Sequence, residues 1–247
     1  MNDHAAHANS FGPAASTYER GRPTYPTAAL DWLLPPGRPR VVDLGAGTGK
    51  LTRQIRARGL EVTAVDPAQG MLDELVGAVP GVPALRGSAE DIPLPDGAAD
   101  VVLVAQAWHW IDPGRAVPEI ARILSPGGRL GLIWNLRDER TDWVRRLGEV
   151  IGNSESERAT TIGPPFGPIE QATFEWVETL GPDRLIDMVA SRSAIILMTP
   201  VDRAAVLNEV RRLAATHPQL VGRTEFALPY LADCARADLP AGPVTAR

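Results

Sequence analysis

The residues best suited to chemistry sit in Val41-Val42-Asp43-Leu44-Gly45-Ala46-Gly47-Thr48-Gly49-Lys50-Leu51. The apolar run before the glycines reads as a buried strand. Leu51 and Ile55, four apart, read as the inner face of a helix, so Gly45, Gly47 and Gly49 fall at a strand-to-helix turn. Such glycines let the backbone bend sharply and let a ligand come close. The N–H groups that open the helix suit an anionic or polar ligand group. Asp66 ends the next strand-like run, 61–65, where a ribose-binding carboxylate belongs in a doubly wound nucleotide fold. The dinucleotide fingerprint has its third glycine where Lys50 stands here. Asp43 would repel a pyrophosphate and suits a cationic ligand. A second cluster, Gln106-Ala107-Trp108-His109-Trp110, follows the apolar run 99–104 and so lies at the ligand-binding edge of an open α/β sheet. Neutral imidazole accepts a proton near neutral pH, which makes His109 the candidate base. The other reading of His109 is packing between Trp108 and Trp110 to shape the pocket.

These residues need a scaffold, and strand and helix patterns alternate to about residue 134, which predicts a parallel sheet. Strands are expected at 40–44, 61–66, 82–86 with Pro83 marking an edge, 99–104 and 129–134. Helices are expected at 27–34, 50–58, 67–76 and 113–124, and Ser125-Pro126-Gly127-Gly128 as a turn. Beyond residue 135 the pattern gives helices at 142–151, 182–189 and from Pro200, strands at 173–177 and 224–231, and a long loop over 152–168. The segment Tyr18-Glu19-Arg20-Gly21-Arg22-Pro23-Thr24-Tyr25-Pro26 joins ligand-recognising side chains to a backbone that resists regular structure; a plain surface linker is the alternative. The chain has 247 residues, 44% hydrophobic and 22% charged, which supports a core without staples. Its net charge of −5 argues against a nucleic-acid partner. No apolar run reaches membrane-spanning length, and the start lacks signal-peptide character; a cytoplasmic protein is expected. Cys234 is the only cysteine, and of His4, His7, His109 and His217 only His4 and His7 lie close together, in a polar, Ala-rich tail, so no metal site is expected.

The motif Asp43-Leu44-Gly45-Ala46-Gly47-Thr48-Gly49 resembles the first motif of class I S-adenosylmethionine-dependent methyltransferases. Asp66-Pro67, Gly87-Ser88-Ala89-Glu90-Asp91-Ile92-Pro93 and Leu124-Ser125-Pro126-Gly127-Gly128 continue the likeness in order. The segment from Tyr18, and the tail with Ser191-Arg192-Ser193 and Leu228-Pro229-Tyr230, is similar to the subgroup that includes trans-aconitate methyltransferase. The resemblance implies an α/β, doubly wound, Rossmann-like sheet of seven strands, mostly parallel with one antiparallel strand and helices on both faces. It implies a mobile tail over 1–16 and a single domain over 17–247, divided into a cap segment (17–39), a cofactor-binding core (40–135) and a C-terminal part completing the sheet and substrate site (136–247). It implies S-adenosyl-L-methionine as cofactor, leaving as S-adenosyl-L-homocysteine. Gly45, Ala46, Gly47 and Gly49 would wrap its amino acid end, with Asp43 on the ammonium and Asp66 and Pro67 at the ribose. Ala89 and Glu90 would lie by the adenine, Gln106 near the methionine part, and Tyr18 and Arg22 would help close the site; Met71 could touch the adenine ring, with a core contact as its other reading. The acceptor would be a small molecule, with a carboxylic acid as the class the subgroup suggests. Trp108 and Trp110 would wall its pocket, and Arg20 and Arg22 would clamp acidic groups. A phenol, amine or carbon acceptor stays open, as do a non-catalytic binding protein, a nicotinamide-dependent oxidoreductase, and a monomer or homodimer.

Overall fold

A computed structural model describes residues 21–152 and 161–241. The expected tail over 1–16, Tyr18, Arg20 and positions 153–160 of the expected loop lie outside the described residues. The strands are β1 (Arg40–Leu44), β2 (Glu61–Asp66), β3 (Ala84–Arg86), β4 (Ala99–Ala105), β5 (Leu124–Arg137), β6 (Glu170–Leu180) and β7 (Phe226–Asp238). They form one seven-stranded sheet in the order β3-β2-β1-β4-β5-β7-β6. The pairs from β3 through β5 are parallel, and β7 runs antiparallel to both β5 and β6. This is the doubly wound, mostly parallel sheet with one reversed strand.

The helices are α1 (Thr27–Leu33), α2 (Lys50–Ala57), α3 (Gln69–Ala78), α4 (Pro113–Ile123), α5 (Asp142–Ile151), α6 (Pro182–Ala190), α7 (Ser193–Ile196) and α8 (Pro200–Thr216). Successive strand side chains point to opposite faces, and the core divides accordingly. Val41, Leu103, Ile133 and Cys234 pack with Leu30 and Leu33 of α1, Leu51 and Ile55 of α2 and Leu75 of α3. Their neighbours Val42, Val102, Leu132 and Trp134 pack with Ala116, Ile120 and Ile123 of α4 on the other face. A third cluster joins Trp143, Leu147, Leu185, Val189 and Val210 to Leu228 and Tyr230 of β7, so the C-terminal helices are seated on a strand of the same sheet.

β3, β5, β6 and β7 differ from the sequence pattern, and β6, expected over 173–177, spans Glu170–Leu180 because β7 pairs with it along its whole length. β5 begins at Leu124 and takes in the residues read as a turn. The pairing jumps from Ala99↔Leu124 to Val101↔Arg129, so a bulge absorbs Ser125-Pro126-Gly127-Gly128. β7 starts two residues later than expected and runs on to Asp238, past Asp233 and Arg236, which break the apolar alternation. Partners on neighbouring elements satisfy both: Thr173 Oγ1 donates to Asp233 at 2.9 Å, and Arg236 pairs with Glu170 at 2.6 Å and lies 4.2 Å over the Trp32 ring. β3 is shorter, because Pro83 has no N–H to give, although its carbonyl still accepts from Ala64 N at 2.9 Å. Among the described residues, no helix is long and apolar enough to cross a membrane and no His/Cys/Asp/Glu group could hold a metal.

Candidate active site at the edge of the sheet

β1 lies between β2 and β4, so the chain reverses its winding direction there and leaves a crevice at the strand ends. The glycine turn is clipped to the end of β2: Gly45 N and Ala46 N both donate to the Val65 carbonyl, at 2.8 and 3.1 Å. Gly45 has φ +73°, and a Cβ on it would stand 2.8 Å from the Ala107 Cβ, so the turn after β1 and the turn after β4 touch at a point where only glycine fits. Gly49, in the left-handed region, opens α2.

Two buried carboxylates face this turn. Asp43 is completely buried. Its Oδ2 accepts from Thr52 Oγ1 at 2.5 Å, while its Oδ1 is buried with no hydrogen-bond partner among the described residues. Burial pushes the Asp43 carboxyl up to about 7, against the pull of the Thr52 bond. Asp66 is braced at both oxygens, Oδ2 accepting from Gly47 N at 2.8 Å and Oδ1 from Ala68 N at 2.9 Å. Burial raises this group too, and those two N–H bonds oppose the rise. Each Asp66 oxygen keeps a lone pair for a further donor. The Ala68 bond also explains why α3 starts at Gln69 and not at Pro67. Met71 is buried in its first turn, and Pro67 is exposed.

The second edge cluster is fixed at both ends. Gln106 is the only non-glycine among the described residues with positive φ, at 57°. Its backbone N–H donates to Ile133 O and its Nε2 to Asn135 O at 3.2 Å. Strained residues of this kind gather at functional sites. Trp108, His109 and Trp110 form a short 3₁₀ turn. Asp112 then caps α4 by accepting from Gly114 N, and its own N–H donates to Glu90 Oε1 at 3.0 Å. So Glu90 holds the His109 turn in place, while its neighbour Ala89 is buried. Trp108 does not wall an open pocket: its ring is 1% exposed and packed in the core beneath α4. Trp110 is 40% exposed and lies 4.8 Å from the His109 ring, centroid to centroid.

A third group, centred on Asn135, was not visible as a motif. Asn135 Nδ2 donates to Thr24 O at 2.8 Å, and its Oδ1 accepts from Trp176 Nε1 at 3.0 Å. Tyr25 exchanges bonds with Gln54 of α2, its N–H donating at 3.0 Å and its carbonyl accepting at 2.7 Å. Residues 23–26 are thereby tied across the strand ends. Arg22 Nη2 reaches Ser191 O, just past α6, at 3.4 Å.

The site fits a ligand with a cationic head and a sugar. Asp43 offers a buried acceptor oxygen, the braced Asp66 matches a vicinal diol, and two acidic groups would repel the pyrophosphate of a dinucleotide. Comparisons with known proteins show the family. A family model described as a methyltransferase domain matches residues 42–132. An uncharacterized methyltransferase of Mycobacterium tuberculosis is 55% identical over 232 residues, 93% of this chain and 96% of its own. In fold the chain is similar to a protein of Anaeromyxobacter dehalogenans described as a type II methyltransferase, with a TM-score of 0.66, 24% identity, and coverage of 89% of this chain and 99% of that one. It is also similar to phosphoethanolamine N-methyltransferase 2 of Haemonchus contortus, in complex with phosphomonomethylethanolamine and S-adenosylhomocysteine. There the TM-score is 0.56 at 15% identity, over 97% of this chain and 61% of that one. The chain belongs to the class I S-adenosylmethionine-dependent methyltransferases, and S-adenosylmethionine is its cofactor.

Proposed function

We propose that the protein methylates a carboxylate oxygen of a small-molecule acceptor held over the ends of β4 and β5, beside His109. The observation that carries this reading is the roof over the strand ends, fastened at Thr24 by Asn135 and at Tyr25 by Gln54. A segment tied at both points narrows the approach to the strand ends, which favours a small acceptor over a nucleic acid or a folded protein.

When bound, S-adenosylmethionine supplies a methyl group on a positively charged sulfur. The chain's own groups position the two reactants in a dry site, which can supply much of the rate. Asp43 meets the ammonium, Asp66 accepts from the ribose hydroxyls, the glycine turn wraps the amino acid end, and Gln106 flanks the methionine part. Ala89 and Met71 line the adenine side, with Glu90 supporting the His109 turn. The acceptor oxygen uses a lone pair to bond the methyl carbon as the carbon–sulfur bond breaks, and that electron pair stays on sulfur. A carboxylate is already ionised, so His109 orients it by a hydrogen bond and takes no proton. A hydroxyl or amine acceptor would need His109 as a base, with a loss on its removal of about a hundred-fold or more.

The test combines a panel of carboxylic acids, phenols and amines with the His109→Ala variant, assayed from about pH 6 to about pH 9, across the imidazole range. An alkali-labile product, and a uniform loss of less than about ten-fold at every pH, is the expected result. Turnover of only a phenol or amine, with the acidic limb of the profile lost in the variant, would replace the carboxylate reading.

A further inference from the structure

The loop that follows β3 takes its shape from α4. Ser88 and Asp91 exchange backbone bonds at 3.3 Å, N–H to carbonyl in both directions, and close a turn with Ala89 and Glu90 at its tip. One end of the loop is clipped to β2, where Gly87 N donates to Asp66 O at 3.2 Å. A Cβ on Gly87 would stand 2.4 Å from Pro93 Cδ, so the loop doubles back on itself. Pro93 and Pro95 have no N–H to give, and this stretch cannot add a strand. The carbonyls of Ile92 and Leu94 accept from Arg122 of α4, from Nη2 at 3.1 Å and from Nη1 at 2.9 Å. The same guanidinium pairs with Asp96 at 2.8 Å, and with both oxygens of Glu119, one turn earlier, at 2.7 and 2.8 Å. Glu119 Oε1 in turn accepts from Ile92 N at 2.9 Å. At the other end of α4, the cap residue Asp112 donates its N–H to Glu90. The loop is thus fastened to both ends of one helix.

We infer that Glu119 and Arg122 are positioning residues for the adenine of S-adenosylmethionine: they set the tip of this loop in place, and with it the preference for a base that carries an amino group on its six-membered ring. The inference rests on the reading above that puts Ala89 on the adenine side. Stability alone does not account for the arrangement. Arg122 keeps 34% of its side chain exposed and Asp96 keeps 81%, and ion pairs at such exposure contribute little. A planar group with five donors supplies fixed geometry at several acceptors together. Ala89 and Ile92 pack with Ala116, Val117 and Ile120 of α4. That apolar contact presses the loop onto the helix but has no direction of its own, so the guanidinium sets where along the helix the loop sits. One oxygen of the Glu90 carboxylate is held by Asp112 N–H, so the side chain at the tip, like its backbone, is aimed by α4.

The test is calorimetric titration of the full chain with S-adenosylhomocysteine and with S-inosylhomocysteine. The two differ at the base edge alone, where an amino group and a ring acceptor become a carbonyl and a ring donor. Wild type should bind the adenine compound at least about ten-fold more tightly, the cost of hydrogen-bonding groups left unmatched. In Arg122→Met that ratio should fall to about three-fold or less. The adenine compound weakens, while the inosine compound, which has no base-edge bonds to lose, changes by less than about two-fold. Glu119→Gln keeps an acceptor for Ile92 N and loses the charge that holds Arg122. Its ratio should lie between the two, and it decides the question where Arg122→Met does not fold. Arg129→Met is the control: Arg129 pairs with Asp238 at 2.7 Å, near the start of β5, so its removal costs stability with the ratio unaltered. A ratio kept in both Arg122→Met and Glu119→Gln, or lowered as much by Arg129→Met, would overturn the inference. The two readings fail separately. A wild type that binds both compounds alike would remove Ala89 and Glu90 from the base, and the inference with them. A wild-type preference that Arg122→Met and Glu119→Gln both retain would leave the tip at the base and remove only Glu119 and Arg122.

Discussion

Asp43 gives a prediction in which stability and binding move in opposite directions. The carboxyl is fully buried, its Oδ1 has no partner among the described residues, and Thr52 is the group that bonds its Oδ2. Burial raises it from 3.8 in the unfolded chain to about 7. The folded state thus holds this proton more tightly than the unfolded state. Stability from the protonated form is fully present below the unfolded value and is lost as pH rises through the folded one. The full loss is about 4 kcal/mol, of which about 2–3 kcal/mol falls between pH 5 and pH 8. Asp100, Asp138 and Asp142 are held low, chiefly by bonds from Arg40, Arg140 and His217, and drive stability the other way. The informative quantity is therefore wild type against Asp43→Asn, measured by urea denaturation without ligand. The variant should gain about 2–3 kcal/mol on wild type between pH 5 and pH 8. Calorimetry should show the reverse for S-adenosylhomocysteine, whose ammonium needs the ionised carboxylate. Wild-type affinity rises with pH up to about 7, and the variant lacks that rise and binds about ten- to a hundred-fold more weakly at pH 8. A stability difference constant with pH, together with equal affinities, would refute both the buried charge and its pairing with the ligand.

Asp66→Ala should weaken S-adenosylhomocysteine binding by about 1.5–3 kcal/mol in calorimetry; unchanged affinity would remove Asp66 from the site. Gln106 stands at φ 57°, so Gln106→Gly should be more stable than Gln106→Ala by about 1 kcal/mol in thermal denaturation; the opposite order would mean that the backbone is not strained there. Gly45→Ala adds both a left-handed φ and a contact with Ala107, for a cost of about 1–3 kcal/mol. Combining it with Ala107→Gly should recover only part of that loss, and full recovery would assign the cost to the collision alone.

The parts of the site that the sequence displayed are those whose chemistry is local. A strand, a glycine turn and a helix are contiguous, so Asp43, Gly45 and Gly49 could be read together, and Asp66 follows at the end of the next strand. Trp108 was misplaced because its cover comes from α4 and β5, and nothing beside it in the chain says that a tryptophan next to a histidine points inward. Asn135, Trp176, Arg137 and Tyr230 meet through the register of β5, β7 and β6. That register brings together residues about 40 to 95 positions apart, and no local spacing encodes it. The far half of β7 was hidden for the opposite reason. Asp233 and Arg236 look like loop residues until Thr173, Glu170 and Trp32 are placed beside them.

The orientation of the Asn135 amide has a chemical consequence. An indole N–H can only donate and a backbone carbonyl can only accept, so Trp176 fixes the oxygen and Thr24 fixes the nitrogen. The two ends cannot be exchanged. Conversion of Asn135 to aspartate, by mutation or by slow hydrolytic ageing, swaps a single NH₂ for oxygen at almost constant volume. The Trp176 bond survives that swap. The Thr24 bond becomes two acceptors facing each other, and the N-terminal segment loses its latch to β5 while the sheet beneath keeps its shape.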